Sequence, residues 1–151
     1  MAIIVRIENP RQPDVLRLLA ALDAYLAALY PPASNHILDV DSLCAADVRF
    51  FVARDDADVL GCGALRIDDG YGEVKRMFVD PAARRRSLGR AILERIEREA
   101  RHEGLRLMRL ETGIHQPEAL ALYRGAGYAE RGPFGEYVAD PLSVFMEKAL
   151  A

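Results

Sequence analysis

Residues 71–91 read Tyr71-Gly72-Glu73-Val74-Lys75-Arg76-Met77-Phe78-Val79-Asp80-Pro81-Ala82-Ala83-Arg84-Arg85-Arg86-Ser87-Leu88-Gly89-Arg90-Ala91. Tyr71 to Val79 is a strand-like run, and Asp80-Pro81 breaks it. From Leu88 the apolar residues Leu88, Ala91, Ile92, Ile96 and Ala100 recur at helical spacing as far as His102. Gly104 supplies the stop expected after a helix, and Leu105 to Glu111 reads as another strand. Strand, long helix and strand form a parallel crossover. Ligands enter such a unit at the carboxyl ends of its strands.

Upstream, Ile3 to Glu8 is rich in β-branched residues and predicts a first strand. After Pro13, a good first-turn residue, Val15, Leu18, Leu19, Leu22, Leu26 and Leu29 mark an amphipathic helix that Pro31-Pro32 ends near Tyr30. Val48 to Arg54, Val59 to Ile67 and Tyr71 to Val79 follow as strands, with connections short enough to allow only antiparallel neighbours. Downstream, Pro117 to Arg124 predicts a short helix ended by Gly125 and Gly127, and Ser143 to Ala149 a last strand. The expected fold is mixed α/β (α+β). Its sheet is antiparallel in the N-terminal half, has a parallel crossover in the C-terminal half, and is flanked by helices.

A chain of 151 residues with 51% hydrophobic and 28% charged residues fits one globular domain over 1–151, and no repeat or linker-like tract divides it. The composition excludes disordered, collagenous and disulfide-stapled classes. Cys44 and Cys62 lie in apolar stretches without zinc-like spacing, so buried thiols are expected rather than a disulfide. His36, His102 and His115 share no ligand spacing either, so no metal is expected. With no secretory leader and no spanning stretch, the expected location is cytoplasmic, away from membranes.

The net charge of −3 is unevenly spread: residues 1–74 sum to −6, residues 75–110 to +6 and residues 111–151 to −3. A cationic middle third in an acidic chain argues against a nucleic-acid binder and for one focused anionic ligand. The corner between the Tyr71 strand and the Leu88 helix is the natural place for it. Free amides at a helix N-terminus attract anions, and Arg84, Arg85, Arg86 and Arg90 add charge. A solvated arginine turn is the competing reading.

This corner resembles the coenzyme A pyrophosphate loop of the GNAT superfamily of N-acetyltransferases, Gln/Arg-x-x-Gly-x-Gly/Ala after a strand ending in Val-x-Pro. Arg84-Arg85-Arg86-Ser87-Leu88-Gly89 keeps the family's distance from Pro81 and puts Ser87 where the first glycine is usual. Arg86-Ser87-Leu88-Gly89-Arg90-Ala91 satisfies the pattern but lengthens the loop. The first register is preferred, because loop length sets where the amides point. Ser87 then brings a Cβ to a close backbone approach and lacks glycine's freedom at positive φ. A second motif, Gln116-Pro117-Glu118-Ala119-Leu120-Ala121-Leu122-Tyr123-Arg124-Gly125-Ala126-Gly127-Tyr128, is similar to the family's Asn-x-x-Ala-x-x-x-Tyr-x-x-x-Gly-Phe, with Gln116 replacing Asn. The order of elements over residues 3–149 also looks like the family's fold.

The resemblance implies acetyl-CoA as co-substrate, held by Met77, Phe78, Val79, Arg84, Arg85, Arg86, Ser87, Leu88, Gly89, Arg90 and Gln116. Direct transfer to a primary amine in a ternary complex follows, with Cys62 structural. Glu73 matches a position where family members carry the base, a solvated carboxylate paired with Lys75 or Arg76 being the plain alternative. Glu111, at a parallel strand's carboxyl end, is the rival base. Tyr123 would stand near the thiol, or else be ordinary core. Tyr30, Asn35, His36 and Glu111 are candidates for the acceptor site, although Tyr30 to His36 also reads as a capping turn. The expected acceptor is a small molecule or amino acid, because no long peptide groove is evident. Acetylation of protein N-termini or lysines, a non-catalytic acyl-CoA sensor, and a simple anion-binding module are the other readings. The resemblance is also compatible with a homodimer.

Overall fold

The computed structural model describes residues 3–84 and 87–151. Its strands are β1 (Ile3–Ile7), β2 (Val48–Asp55), β3 (Asp58–Ile67), β4 (Gly72–Val79), β5 (Leu107–Gly113), β6 (Ala129–Arg131) and β7 (Ser143–Ala149). They form one seven-stranded sheet in the order β1-β2-β3-β4-β5-β7-β6. β4 and β5 pair in parallel, and the other neighbours are antiparallel. The helices are α1 (Pro13–Leu29), α2 (Val40–Leu43), α3 (Leu88–His102) and α4 (Pro117–Gly125). The expected mixed α/β order is present, with α2 and β6 added. Among the described residues, no helix is long and apolar enough to cross a membrane.

Alternation along β2 divides the core. Phe50 and Val52 face α1, where Val15, Leu18, Leu19 and Leu22 cover them together with Cys62 and Ala64. Phe51 and Ala53 face α3 and pack with Leu88, Ile92, Leu93, Ile96 and Ala100. The helix lies so close to β3 that a Cβ on Gly63 would stand 2.9 Å from both Ile92 Cγ2 and Ile96 Cδ1. Ile92 is fully buried at this contact. Ile92→Ala is therefore expected to cost about 2–5 kcal/mol, read as a lower urea midpoint at unchanged slope.

Of the two cysteines, only Cys62 is buried. Cys44 is exposed because its apolar-looking stretch ends at the C-cap of the short helix α2, which buries Leu43 instead. The Cys62 thiol is pushed up to about 12, chiefly by burial, which leaves it unreactive near neutrality.

Two irregularities shape the functional face. Register between β3 and β4 steps from Cys62↔Phe78 to Ala64↔Lys75, so β4 carries an extra residue. The bulge holds Arg76 at φ 55, with its guanidinium donating to Asp23 on α1. The second is a splay: β4 and β5 pair only from Gly72↔Met108 to Val74↔Leu110 and then separate. The gap between their carboxyl ends is where ligand space opens.

Candidate active site

One groove runs from this gap along the N-terminal end of α3 to α4. Met77, Phe78, Val79, Arg84, Ser87, Leu88, Gly89, Arg90 and Gln116 line it, with Tyr25, Leu122 and Tyr123. These are the cofactor positions expected from sequence, except Arg85 and Arg86, which lie outside the described residues. The groove holds about 910 Å³, enough for an extended nucleotide-bearing cofactor.

At its cationic end, Ser87 is the N-cap of α3 and its side chain makes no capping bond. The first amides of a helix have no partner within it, so those of Leu88, Gly89 and Arg90 face the groove as donors. Ser87 stands at φ 54, ψ 28, the left-handed conformation that glycine takes at no cost. This agrees with the register counted from Pro81, in which Ser87 fills the first glycine's place. Arg84 lies over the Phe78 ring at 5.9 Å. Arg90 pairs with Glu94 at 3.4 Å, and both side chains are half exposed.

A second cleft, of about 110 Å³, opens between the carboxyl ends of β4 and β5 beside the end of α1. Tyr30, Asn35, His36 and Glu111, the four acceptor-site candidates, all line it, beside Lys75, Met77, Gln116, Tyr123 and Ser143. Asn35 also serves the capping turn, donating to the carbonyls of Leu26 (3.4 Å) and Tyr30 (3.3 Å) at the end of α1. Tyr30 donates to Gln116 Oε1 at 3.1 Å and accepts from the His115 amide at 3.2 Å. The Tyr30 ring stacks on His115, with centroids 5.6 Å apart.

Leu22, Met77, Gln116 and Tyr123 line both cavities. Tyr123 belongs to the core beside α3 and also borders the place where the two clefts meet. Burial pushes its phenol pKa upward, so it remains a hydrogen-bond donor throughout the neutral range.

Glu73 has the Lys75 partner of its plain sequence reading but not the solvation. It is 2% exposed rather than solvated, and it lines neither cleft. Tyr137 donates to its Oε2 at 2.5 Å, and Lys75 Nζ lies 3.6 Å away. Burial first, then the Glu73 charge, push the Tyr137 phenol upward, which keeps the donor hydrogen in place. Lys75 Nζ donates to Tyr137 Oη at 2.9 Å and to the His36 carbonyl at 3.0 Å. The His36 ring meets Glu111 at 2.8 Å, and Ser143 donates to Glu111 at 2.8 Å.

Sequence reading missed Tyr137 and Ser143. Tyr137 sits in Gly132-Pro133-Phe134-Gly135-Glu136-Tyr137, a segment without periodicity. Phe134 anchors it, with ring contacts to Tyr71, Phe145 and Tyr137 at 5.6, 5.9 and 5.1 Å. The Gly-Pro-aromatic composition of a loop otherwise polar was the available signal.

A mixed sheet splayed beside a bulge, with a cationic groove meeting a small polar cleft, is an arrangement suited to group transfer between two bound molecules. The sequence model of the Acetyltransferase (GNAT) family matches residues 17–128, and the chain belongs to that family. It is 57% identical over 145 residues, 95% of each chain, to the IAA acetyltransferase of Azospirillum brasilense. It is 32% identical over 149 residues, 97% of this chain and 94% of the other, to the uncharacterized N-acetyltransferase YedL of Escherichia coli. Among solved structures, a Klebsiella pneumoniae protein assigned as an acyl-CoA N-acyltransferase superposes with a TM-score of 0.83 at 37% identity, covering 99% of this chain and 98% of that one. PaiA N-acetyltransferase of Thermoplasma acidophilum, solved with coenzyme A, shares the fold at 16% identity, with a TM-score of 0.77 and 99% of each chain covered.

Proposed function

We propose that this acetyltransferase moves the acetyl group of acetyl-CoA directly onto a primary amine of a small molecule or amino acid. The observation that carries the reading is the meeting of the two clefts at Met77, Gln116 and Tyr123. A donor in the groove and an acceptor in the cleft can there touch without any covalent enzyme intermediate. The diphosphate rests on the amides of Leu88, Gly89 and Arg90, with Arg84 and Arg90 neutralising charge. The pantetheine arm follows the backbone of Met77, Phe78 and Val79, which the splay leaves without a β5 partner. The acceptor cleft encloses only about 110 Å³, which favours a small amine. The name of the relative from Azospirillum brasilense also supports a small acceptor.

The test is release of free thiol from acetyl-CoA with glycine, lysine, spermidine or benzylamine as acceptor, beside a peptide with a free N-terminus. Faster release with a small amine than with the peptide is expected. Binding of acetyl-CoA with no amine-dependent release by any of them would favour a sensor instead.

Ser87 provides a cofactor-side prediction. Left-handed backbone costs a non-glycine residue about 1–2 kcal/mol, and the Cβ crowds the phosphate approach. That strain is present with and without ligand and cancels from the Kd, so Ser87→Gly acts on binding by removing the Cβ. The Kd for coenzyme A is expected to fall about threefold, which is about 0.6 kcal/mol at about 1.4 kcal/mol per tenfold. Calorimetry on both proteins reads this, and a weaker Kd in the glycine variant would show that the Ser87 hydroxyl holds the ligand.

A further inference from the structure

Building on the acetyl-transfer reading, we infer that His36 Nε2 takes the proton from the acceptor amine, with Glu111 holding the ring and Glu73 acting at a distance as a positioning residue. Each carboxylate named from sequence is poorly placed for that task. Glu73 is 2% exposed and lines neither cleft, and the Glu111 side chain, 11% exposed, already accepts from Ser143 and faces His36. His36 lines the acceptor cleft with its side chain 34% exposed.

The tautomer follows from the hydrogen bonds. His36 Nδ1 stands 3.0 and 2.8 Å from the two Glu111 oxygens. An ionised carboxylate only accepts, so Nδ1 carries the hydrogen and the neutral ring keeps its lone pair on Nε2. Strand β5 thus orients the ring through Glu111. Strand β4 fixes the backbone beneath it, because Lys75 binds the His36 carbonyl and is itself held by Tyr137 and Glu73. The Tyr137 ring adds an edge contact to His36, with centroids 5.3 Å apart. The charged and titratable groups around His36 are Glu111 on β5, Lys75 on β4 with Glu73 behind it, and Tyr137 and Asp140 in the segment before β7.

The step balances as follows. The amine nitrogen bonds to the acetyl carbonyl carbon, and its proton passes to Nε2, giving an imidazolium beside Glu111. The C–S bond breaks with its electron pair going to sulfur. The thiolate accepts a hydrogen bond from Tyr123 and a proton from water. The imidazolium returns its proton to solvent.

With the fastest of glycine, lysine, spermidine and benzylamine as acceptor, His36→Gln is expected to lower kcat/KM about 10²–10⁴-fold and to remove the acid limb of the pH profile. Its Kd for acetyl-CoA stays within about twofold. Added imidazole restores part of the rate to His36→Gly. Glu111→Gln and Tyr137→Phe lower kcat more than they raise KM, because the ring loses the contacts that orient it. Wild-type kcat/KM and an intact acid limb in His36→Gln overturn the inference. So do ¹⁵N shifts of the wild-type His36 ring showing hydrogen on Nε2 at a pH where the ring is neutral, a readout that needs no acceptor. Absence of transfer by the wild type with bound acetyl-CoA would instead overturn the acetyl-transfer reading.

Discussion

Tyr123→Phe is expected to cut turnover about 10- to 100-fold while acetyl-CoA binding changes by no more than about twofold. Tyr123 lines both clefts at their junction, where sulfur departs in the proposed reaction. A phenol of ordinary pKa ~10 is a weaker acid than a thiol at ~8.5, and burial weakens it further. Its contribution is therefore a hydrogen bond to charge developing on sulfur rather than an outright proton transfer. Hydrogen bonds to charged groups are worth about 1.5–3 kcal/mol, which sets the expected loss. The ring itself packs edge-on against Tyr128 at 5.8 Å, and phenylalanine keeps that contact. Steady-state kcat beside a calorimetric Kd checks this, and wild-type turnover would return Tyr123 to a packing role alone.

Gly113→Ala should be similarly damaging for a different reason. A Cβ there would stand 1.9 Å from Tyr30 Oη and 2.3 Å from Cζ. Tyr30 is buried and cannot swing aside without giving up Gln116, the His115 amide and its stack on the His115 ring. Overpacking of this kind costs typically about 1–3 kcal/mol. The displaced ring also releases Gln116 at the junction, and a 1 Å misplacement at a reacting centre can cost about 10²-fold in rate. Urea denaturation and thiol release together read both effects. Unchanged stability and turnover would show that the wall formed by Tyr30 does not shape the site.

Much of the fold is legible because its punctuation is local. Pro13, Pro31-Pro32 and Gly104 delimit the long helices, and the aspartate-rich turns after β2 and β3 impose antiparallel neighbours. β6 was not legible, because Ala129–Arg131 is too short for an alternating pattern. The bulge in β4 left no mark either: Arg76 occupies a left-handed position where a glycine would have signalled it, and its stabilising partner Asp23 lies 53 residues earlier. The groove proposed for the cofactor is lined by residues from one contiguous loop and one helix motif, which the sequence displays openly. The proton-handling network was not, since Tyr137 reaches Glu73 across 64 residues and His36 reaches Glu111 across 75. Such pairs depend on how a loop folds over a sheet, and spacing along the chain does not encode that.

The proposed chemistry depends most directly on what the groove beside α3 accepts. Calorimetric titration of the wild-type protein with acetyl-CoA, coenzyme A and ATP at the same salt concentration tests it. The diphosphate site on Leu88, Gly89 and Arg90, continued by a pantetheine channel along β4, predicts saturable binding of acetyl-CoA and coenzyme A at least about tenfold tighter than ATP. ATP shares the phosphates but not the arm, so equal affinities, or no binding of acetyl-CoA, would contradict the account.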